Sequence, residues 1–335
     1  MAGSELRHLL PEAPRALCDI LAADRGPVLA PIRSEIFGAQ RFCQHGRSLG
    51  QAHRAADMPL MAATFFPRLK SNIRVLREAH RYIGRQATTG YDISPAAEWL
   101  LDNFHTIEAQ LKEIHDGLPR SYFRSLPMLL DEPLAGLPRI YGVAWAFVAH
   151  TDGAFDEDLL AQFLSAYQEV SELKLSELWA LPTTLRVVLI ENLRRLAERV
   201  AANKAAREVA NLCFDHIEQH DVDALNALLA LLTQRGLATV FLTQMAQRMQ
   251  DRRAVADGDS QTAVQDWLRK ALPDLAAAQS QQVADQAADN LSVSNAVNAL
   301  RAVGDANWPE VVARTSTLMQ CMLASQLFAA EDSPS

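Results

Sequence analysis

The 335-residue sequence has little of what marks a disulfide-rich or turn-rich protein: four cysteines, 15 prolines and 14 glycines. Cys18, Cys43, Cys213 and Cys321 lie far apart with no Cys-x-x-Cys spacing. That excludes a dense disulfide framework or a zinc-ribbon pattern and predicts buried thiols in a reducing compartment. The scarcity of Pro and Gly predicts long regular elements joined by short turns. Positive charge is also short, with 32 Lys and Arg against 40 Asp and Glu, a formal net charge of −8. Neither half of the chain is strongly basic, so the electrostatic footprint of a nucleic-acid binder is missing.

Other absences concern membranes and chemistry. No uncharged apolar run reaches the ~18–20 residues that cross a bilayer. The N-terminus has no cationic start followed by an apolar stretch, so no secretory signal is visible. The expectation is a soluble, cytoplasmic chain. There is no Gly-x-Gly-x-x-Gly, no phosphate-binding Gly-Lys-Ser/Thr loop, no Gly-x-Ser-x-Gly elbow and no alternating βαβ pattern. The Gln-x-x-Arg-Trp motif of processive glycosyltransferases is missing as well. No catalytic residue, cofactor or metal is predicted.

What is present is helical periodicity. Apolar residues make up 49% of the chain and charged residues 21%, the balance of a globular protein. Over Glu98–Asp116, residues Leu100, Phe104, Ile107, Leu111 and Ile114 recur at steps of four and three, one stripe of a helix. Ser94 is a good N-cap, and Pro95 stands at the first helical position, where its missing N–H costs nothing. Leu69, Ile73, Leu76, His80 and Ile83 form a second stripe over 67–87. The short link from Ala87 to Ile93 suits an antiparallel hairpin.

Further helices are predicted at about 33–55, 139–150, 156–171, 176–201, 205–219, 221–234, 236–252, 260–271, 275–289, 294–303 and 308–329. Ile140–Ala149 is apolar nearly all round, with Gly142 and several alanines permitting close neighbours, and reads as a central helix. Strand signals are poor: Val187–Ile190 sits among i,i+4 pairs such as Glu191/Arg195 and Arg194/Glu198. Pro182 is expected to kink or divide its helix. The Ala-, Gln- and Asp-rich stretch 275–290 reads as an exposed helix or loosely held connector. The fold class is all-α, a multi-helical bundle or an irregular array of antiparallel helix hairpins. The expected divisions are a weakly defined helix and linker at 1–32, a helical domain at 33–202, a second bundle or continuation at 203–329, and a disordered tail at 330–335.

Several clusters invite a functional reading. Glu98, Asp102 and His105 recur at i, i+4 and i+7, opposite the apolar stripe. With neighbouring Trp99 they form a candidate polar or sugar-contact face, the alternative being a solvated or ion-paired surface; a zinc site would require more His or Cys ligands. Of the remaining tryptophans, Trp145 and Trp179 read as core. Arg74, Arg77, Arg81 and Arg85 form a stripe suited to anionic lipid headgroups, to a partner, or to carboxylates of a neighbouring helix. His150 and Asp152 form a polar pair after the central helix, with no nucleophile beside them. Asp156-Glu157-Asp158 imitates a cation-binding triplet but opens a helix, where negative charge is favoured.

Certain segments carry a resemblance. Ser94-Pro-Ala-Ala-Glu-Trp-Leu-Leu-Asp-Asn-Phe-His105, Leu118-Pro-Arg-Ser-Tyr-Phe-Arg-Ser-Leu-Pro127 and Pro138-Arg-Ile-Tyr-Gly-Val-Ala-Trp-Ala-Phe-Val-Ala-His-Thr-Asp152 resemble the N-terminal region of bacterial cyclic β-1,2-glucan synthases. So do Glu177-Leu-Trp-Ala-Leu-Pro-Thr-Thr-Leu-Arg186, Ile190-Glu-Asn-Leu-Arg-Arg-Leu-Ala197 and Ser292-Val-Ser-Asn-Ala-Val-Asn-Ala-Leu-Arg301. The resemblance is specific over about 64–200 and diffuse beyond.

It implies a non-catalytic cytoplasmic helical region at the inner face of the bacterial inner membrane. There it would support or regulate a membrane glucosyltransferase segment, of the same or a neighbouring polypeptide, that polymerises UDP-glucose. The family's catalytic residues lie in segments after this region, so none is carried over. Two alternatives remain: a carbohydrate-binding helical module for β-glucan, and an α-helical glycoside-active enzyme built on a carboxylate pair.

Overall fold

The computed structural model describes residues 2–57, 65–88, 94–117, 119–217, 221–253 and 262–316. Among them the chain is all-α apart from one 3-10 turn and a two-residue ribbon. The helices are α1 (Ala2–Leu9), α2 (Arg15–Leu21), α3 (Ala39–Ala52), α4 (Phe65–Thr88), α5 (Pro95–Asp102), α6 (Phe104–Asp116), α7 (Arg120–Arg124) and α8 (Arg139–His150). They continue as α9 (Glu157–Gln168), α10 (Leu175–Asp215), α11 (Val222–Gln234), α12 (Ala238–Arg253), α13 (Thr262–Ala271), α14 (Leu275–Asp305) and α15 (Trp308–Thr315). Strand β1 (Ala55–Ala56) pairs antiparallel with β2 (Met128–Leu129).

Two compact units are each assembled from three stretches of chain. The first comprises Met1–Ala30, Val75–Leu101 and Arg195–Leu291; the second comprises Pro31–Arg74, Asp102–Arg194 and Ser292–Ser335. Helices α4, α10 and α14 contribute residues to both.

The first unit buries Leu17, Leu76, Leu100, Val209, Phe241 and Met245. Its largest fully buried side chain is a cation, Arg235. The guanidinium is held locally, with Nε alone unpaired among the described residues: Nη1 donates to the Gly26 carbonyl, and Nη2 to the Ile20 carbonyl and Glu198, both at 3.3 Å. A buried guanidinium is tolerated only when paired in this way.

The second unit is built around α8, whose residues Ile140–Ala144 and Ala146–Ala149 are buried, as a helix apolar on all sides requires. Phe42 of α3, Phe147 of α8 and Phe163 of α9 close the core with ring centroids 5.6–6.2 Å apart. Gly142 gives Leu129 and His53 close approach to α8: a Cβ there would stand 2.9 Å from Leu129 Cδ1 and 3.1 Å from His53 Cε1, so these side chains would have to shift.

Several local expectations hold. Ser94 Oγ accepts from Ala97 N at 3.3 Å at the start of α5, and Asp156 Oδ1 accepts from Leu159 N at 2.8 Å at the start of α9. The Asp-Glu-Asp triplet is therefore a helix cap. Val187–Ile190 lies within α10. Cys18 and Cys213 are buried free thiols, and Cys43 is half-buried and free.

Other expectations are corrected. The helix read over Glu98–Asp116 breaks at Asn103, whose backbone (φ −104°, ψ 9°) leaves the helical region and whose Oδ1 accepts from Arg301 at 2.6 Å. The predicted helices 176–201 and 205–219 are one helix, and so are 275–289 and 294–303. Pro182 sits inside α10 without dividing it. The helix expected from residue 33 begins at Ala39. The Ala87–Ile93 link beyond Thr88, the predicted helix beyond Ser316, Cys321 and the 330–335 tail lie outside the described residues.

Candidate functional site

On α4 the four arginines Arg74, Arg77, Arg81 and Arg85 are all exposed. The buried side of the helix carries Leu69, Asn72, Leu76, Ala79, Tyr82 and Ile83. The apolar stripe is thus displaced: Ile73 and His80 are half-buried, and the polar Asn72 is among the buried residues. Asn72 is recruited by a buried ionic cluster in the second unit. Glu191, 1% exposed, receives Arg68 Nε and Nη2 at 2.9 and 2.6 Å, Asn72 Nδ2 at 2.9 Å and the Tyr141 hydroxyl at 2.8 Å. Asn72 Oδ1 in turn accepts from Arg194 Nε at 3.1 Å. Burial works against the Arg68 charge, but Glu191 and Tyr141 beside it raise its pKa further still.

Glu98 and Trp99 are exposed on α5 in the first unit. Asp102 and His105 are exposed residues of the second, on either side of the break at Asn103. His105 Nδ1 lies 3.1 Å from the Asp102 carbonyl oxygen and Nε2 lies 3.3 Å from Thr106 Oγ1. Trp179, read from the sequence as core, is 47% exposed, more than Trp99 at 36%. Its position on α10 faces outward, a placement that an isolated aromatic in an apolar run does not announce.

His150 and Asp152 serve different surroundings. The His150 ring stacks on Phe37 at 3.9 Å, and its Nδ1 lies 2.7 Å from the Glu35 carbonyl oxygen. Asp152, 3% exposed with φ of 51°, accepts from Ser292 Oγ at 2.5 Å, and its carbonyl accepts from Asn295 Nδ2 at 3.2 Å. Burial pushes the Asp152 carboxyl above the usual range, partly offset by Ser292 and Arg33. These contacts describe a helix terminus fastened to the C-terminal half of α14.

The feature that sequence reasoning missed is a cavity of about 300 Å3 in the first unit. Its walls come from α4, the start of α5, α10, the start of α12 and the N-terminal half of α14. Helical spacing supplies them: Arg199, Asn203 and Arg207 recur every four residues on α10, while Gln282, Asp285, Gln286 and Asp289 share a face of α14. Arg199 Nη2 is 2.6 Å from Asp285 Oδ2. Its Nε is 2.8 Å from Asp289 Oδ2, an ion-pair distance without the alignment of a hydrogen bond. Ala96 N donates to Asn290 Oδ1 at 2.9 Å, tying α5 to α14. The sequence signal was the stretch 275–290, polar and amide-rich, which carried no apolar stripe and so read as exposed.

Among the described residues no helix is long and apolar enough to cross a membrane, and no group of three His, Cys, Asp or Glu side chains is placed to hold a metal ion. No known protein-family model matches the chain. The chain is similar to cyclic β-(1,2)-glucan synthase NdvB of Rhizobium meliloti (strain 1021), 32% identical over 282 residues. The match takes in 83% of this chain and spans 10% of that much longer relative. The likeness first visible in segments between Ser94 and Arg301 thus extends over most of the chain, which is related to one part of the cyclic β-(1,2)-glucan synthases.

Proposed function

We propose that this chain is a non-catalytic helical region of a cyclic β-1,2-glucan synthase. In this reading it sits at the cytoplasmic face of the inner membrane and supports or regulates the glucosyltransferase that polymerises UDP-glucose. The observation that carries the proposal is the 32% identity to a tenth of NdvB over most of the chain. The packed interiors on each side agree with it, since their polar side chains are engaged in holding helices together: Glu191 with Arg68, Glu177 with Arg139, Arg235 with Glu198. The exposed arginine row of α4 is the surface we assign to anionic headgroups or to the transferase.

The test is reconstitution in membranes with UDP-glucose and a β-1,2-glucan readout. The chain alone should make no glucan. A synthase lacking the corresponding segment should lose most of its activity or abundance, and regain it when the segment is restored. Unaided glucan synthesis by the chain, or full activity without the segment, would overturn the proposal.

A second reading, a carbohydrate-binding module, is favoured by exposed Trp99 beside exposed Glu98. Titration of linear and cyclic β-1,2-glucans against tryptophan fluorescence tests it. A saturable change lost in Trp99→Ala supports this reading; no change at millimolar sugar dismisses it.

A further inference from the structure

Arg207 stands apart from the other cations of the first unit's cavity. Arg199 is held by Asp285 and Asp289, and Lys204 Nζ lies 4.0 Å from Glu208. Arg207 is half-buried in the cavity wall and makes no hydrogen bond or ion pair with the described residues. Removing a guanidinium from water without a counter-charge is unfavourable, and a bound oxyanion is the partner its planar fork fits best.

We propose that this cavity binds a small phosphorylated polyhydroxyl compound of sugar-phosphate type, its phosphate on Arg207 and its hydroxyls among the side-chain amides. Three features of the lining select this chemistry. First, of the wall's three cations Arg199 is held by Asp285 and Asp289 and Lys204 stands 4.0 Å from Glu208, so Arg207 is the cation left for an anion. An oxyanion there gains a charge-assisted partner that the wall itself does not supply. Second, Asn203, Gln282 and Gln286 line the same space from two helices. Each amide both donates and accepts, as hydroxyl groups require. Third, no aromatic ring lies among the described lining residues. A neutral sugar would lack a stacking platform, so charge does the selecting. The volume of about 300 Å3 stands at the lower end of the ~300–1,000 Å3 typical of small-molecule sites, which suits a monosaccharide phosphate. Burial lowers the Arg207 pKa, in keeping with its lack of a partner among the described residues.

This site is independent of any part the chain plays in glucan synthesis, and it is tested on the 335-residue chain alone. Glucose 6-phosphate, inorganic phosphate and glucose are titrated calorimetrically in phosphate-free buffer at constant ionic strength. Glucose 6-phosphate should bind saturably, more tightly than inorganic phosphate, with no heat from glucose. Arg207→Gln should weaken it by about tenfold or more, the loss expected for one charge-assisted pair. Arg207→Lys should retain part of the affinity. Gln286→Ala, on the opposite helix, should weaken glucose 6-phosphate more than phosphate and serves as the readout if Arg207→Gln does not fold. Equal binding of glucose, no binding of glucose 6-phosphate, or wild-type affinity in a folded Arg207→Gln variant would overturn the assignment.

Discussion

Gly46 on α3 lies against the main chain of Phe163 on α9, so close that a Cβ at position 46 would stand 2.8 Å from the Phe163 carbonyl oxygen and 3.2 Å from Tyr167 N. The obstacles are backbone atoms, which cannot rotate away. Gly46→Ala must therefore separate two helices whose Phe42 and Phe163 rings meet edge to face. The expected cost is about 1–3 kcal/mol, the range for overpacking a dense core. Gly38 caps the same helix with nothing within 4 Å of its would-be Cβ and φ of −79°. Urea unfolding of Gly38→Ala should fall close to wild type. Equal stability of both variants would contradict this packing.

The Glu191 cluster leads to a second expectation. Removing the carboxylate leaves Arg68, Asn72 and Tyr141 facing an apolar residue. Glu191→Leu should destabilise by about 3 kcal/mol, chiefly because a desolvated guanidinium loses its partner. Pairing it with Arg68→Met should recover a substantial part of the loss. If the double variant is as unstable as the sum of the single ones in equilibrium unfolding, the two residues are not coupled as the geometry requires.

At the start of α9, Asp156 Oδ1 accepts from Leu159 N at 2.8 Å, with Glu157 and Asp158 in the first turn. Asp156→Ala should cost about 1 kcal/mol, whereas Asp156→Ser should cost less, since serine also caps. Adding millimolar Mg2+ or Mn2+ should leave the wild-type melting temperature unchanged. A cation-dependent rise lost in Asp156→Ala would restore the metal-triplet reading.

Helix existence was legible wherever one apolar face recurs, as on α6, where Ile107, Leu111 and Ile114 are buried as their spacing predicts. Legibility failed where polar groups take the inward positions. On α4, Asn72 displaces the stripe because Glu191, more than a hundred residues away, requires a donor there. On α14, Val283 and Leu291 are 69% and 55% exposed while Asp289 and Ser292 are buried, the reverse of what hydrophobicity suggests. The cavity wall was invisible for that reason. The break at Asn103 was likewise hidden, because the apolar spacing of Leu100, Phe104 and Ile107 runs across it unchanged. Of the candidate residues, the exposure of the four arginines followed from helical phase on α4; Glu98, Asp102 and His105 are exposed too, although the break at Asn103 interrupts the phase that grouped them, and the settings of His150 and Asp152 depended on Phe37 and Ser292, which sequence spacing cannot reveal.

A final expectation concerns acid stability in the second unit. His53 Nδ1 lies 3.0 Å from the Tyr167 hydroxyl, and burial, with Arg139 and His45 nearby, lowers its pKa from 6.5 to about 4. Above pH 6.5 the imidazole is neutral in both folded and unfolded chains and contributes no pH dependence. As pH falls from 6.5 towards 4, the unfolded chain takes up a proton that the folded one resists, so stability declines through that window. The loss is about 2 kcal/mol after allowance for partial exposure, and it is complete once both forms are protonated. His53→Gln should flatten the stability curve between pH 6.5 and 4 relative to wild type, measured by urea unfolding at half-unit intervals. Parallel curves would mean that His53 titrates alike in both states. The buried Asp152 acts the other way: its raised pKa stabilises the folded chain as pH falls, so it opposes His53, and Asp152→Asn should steepen the wild-type decline.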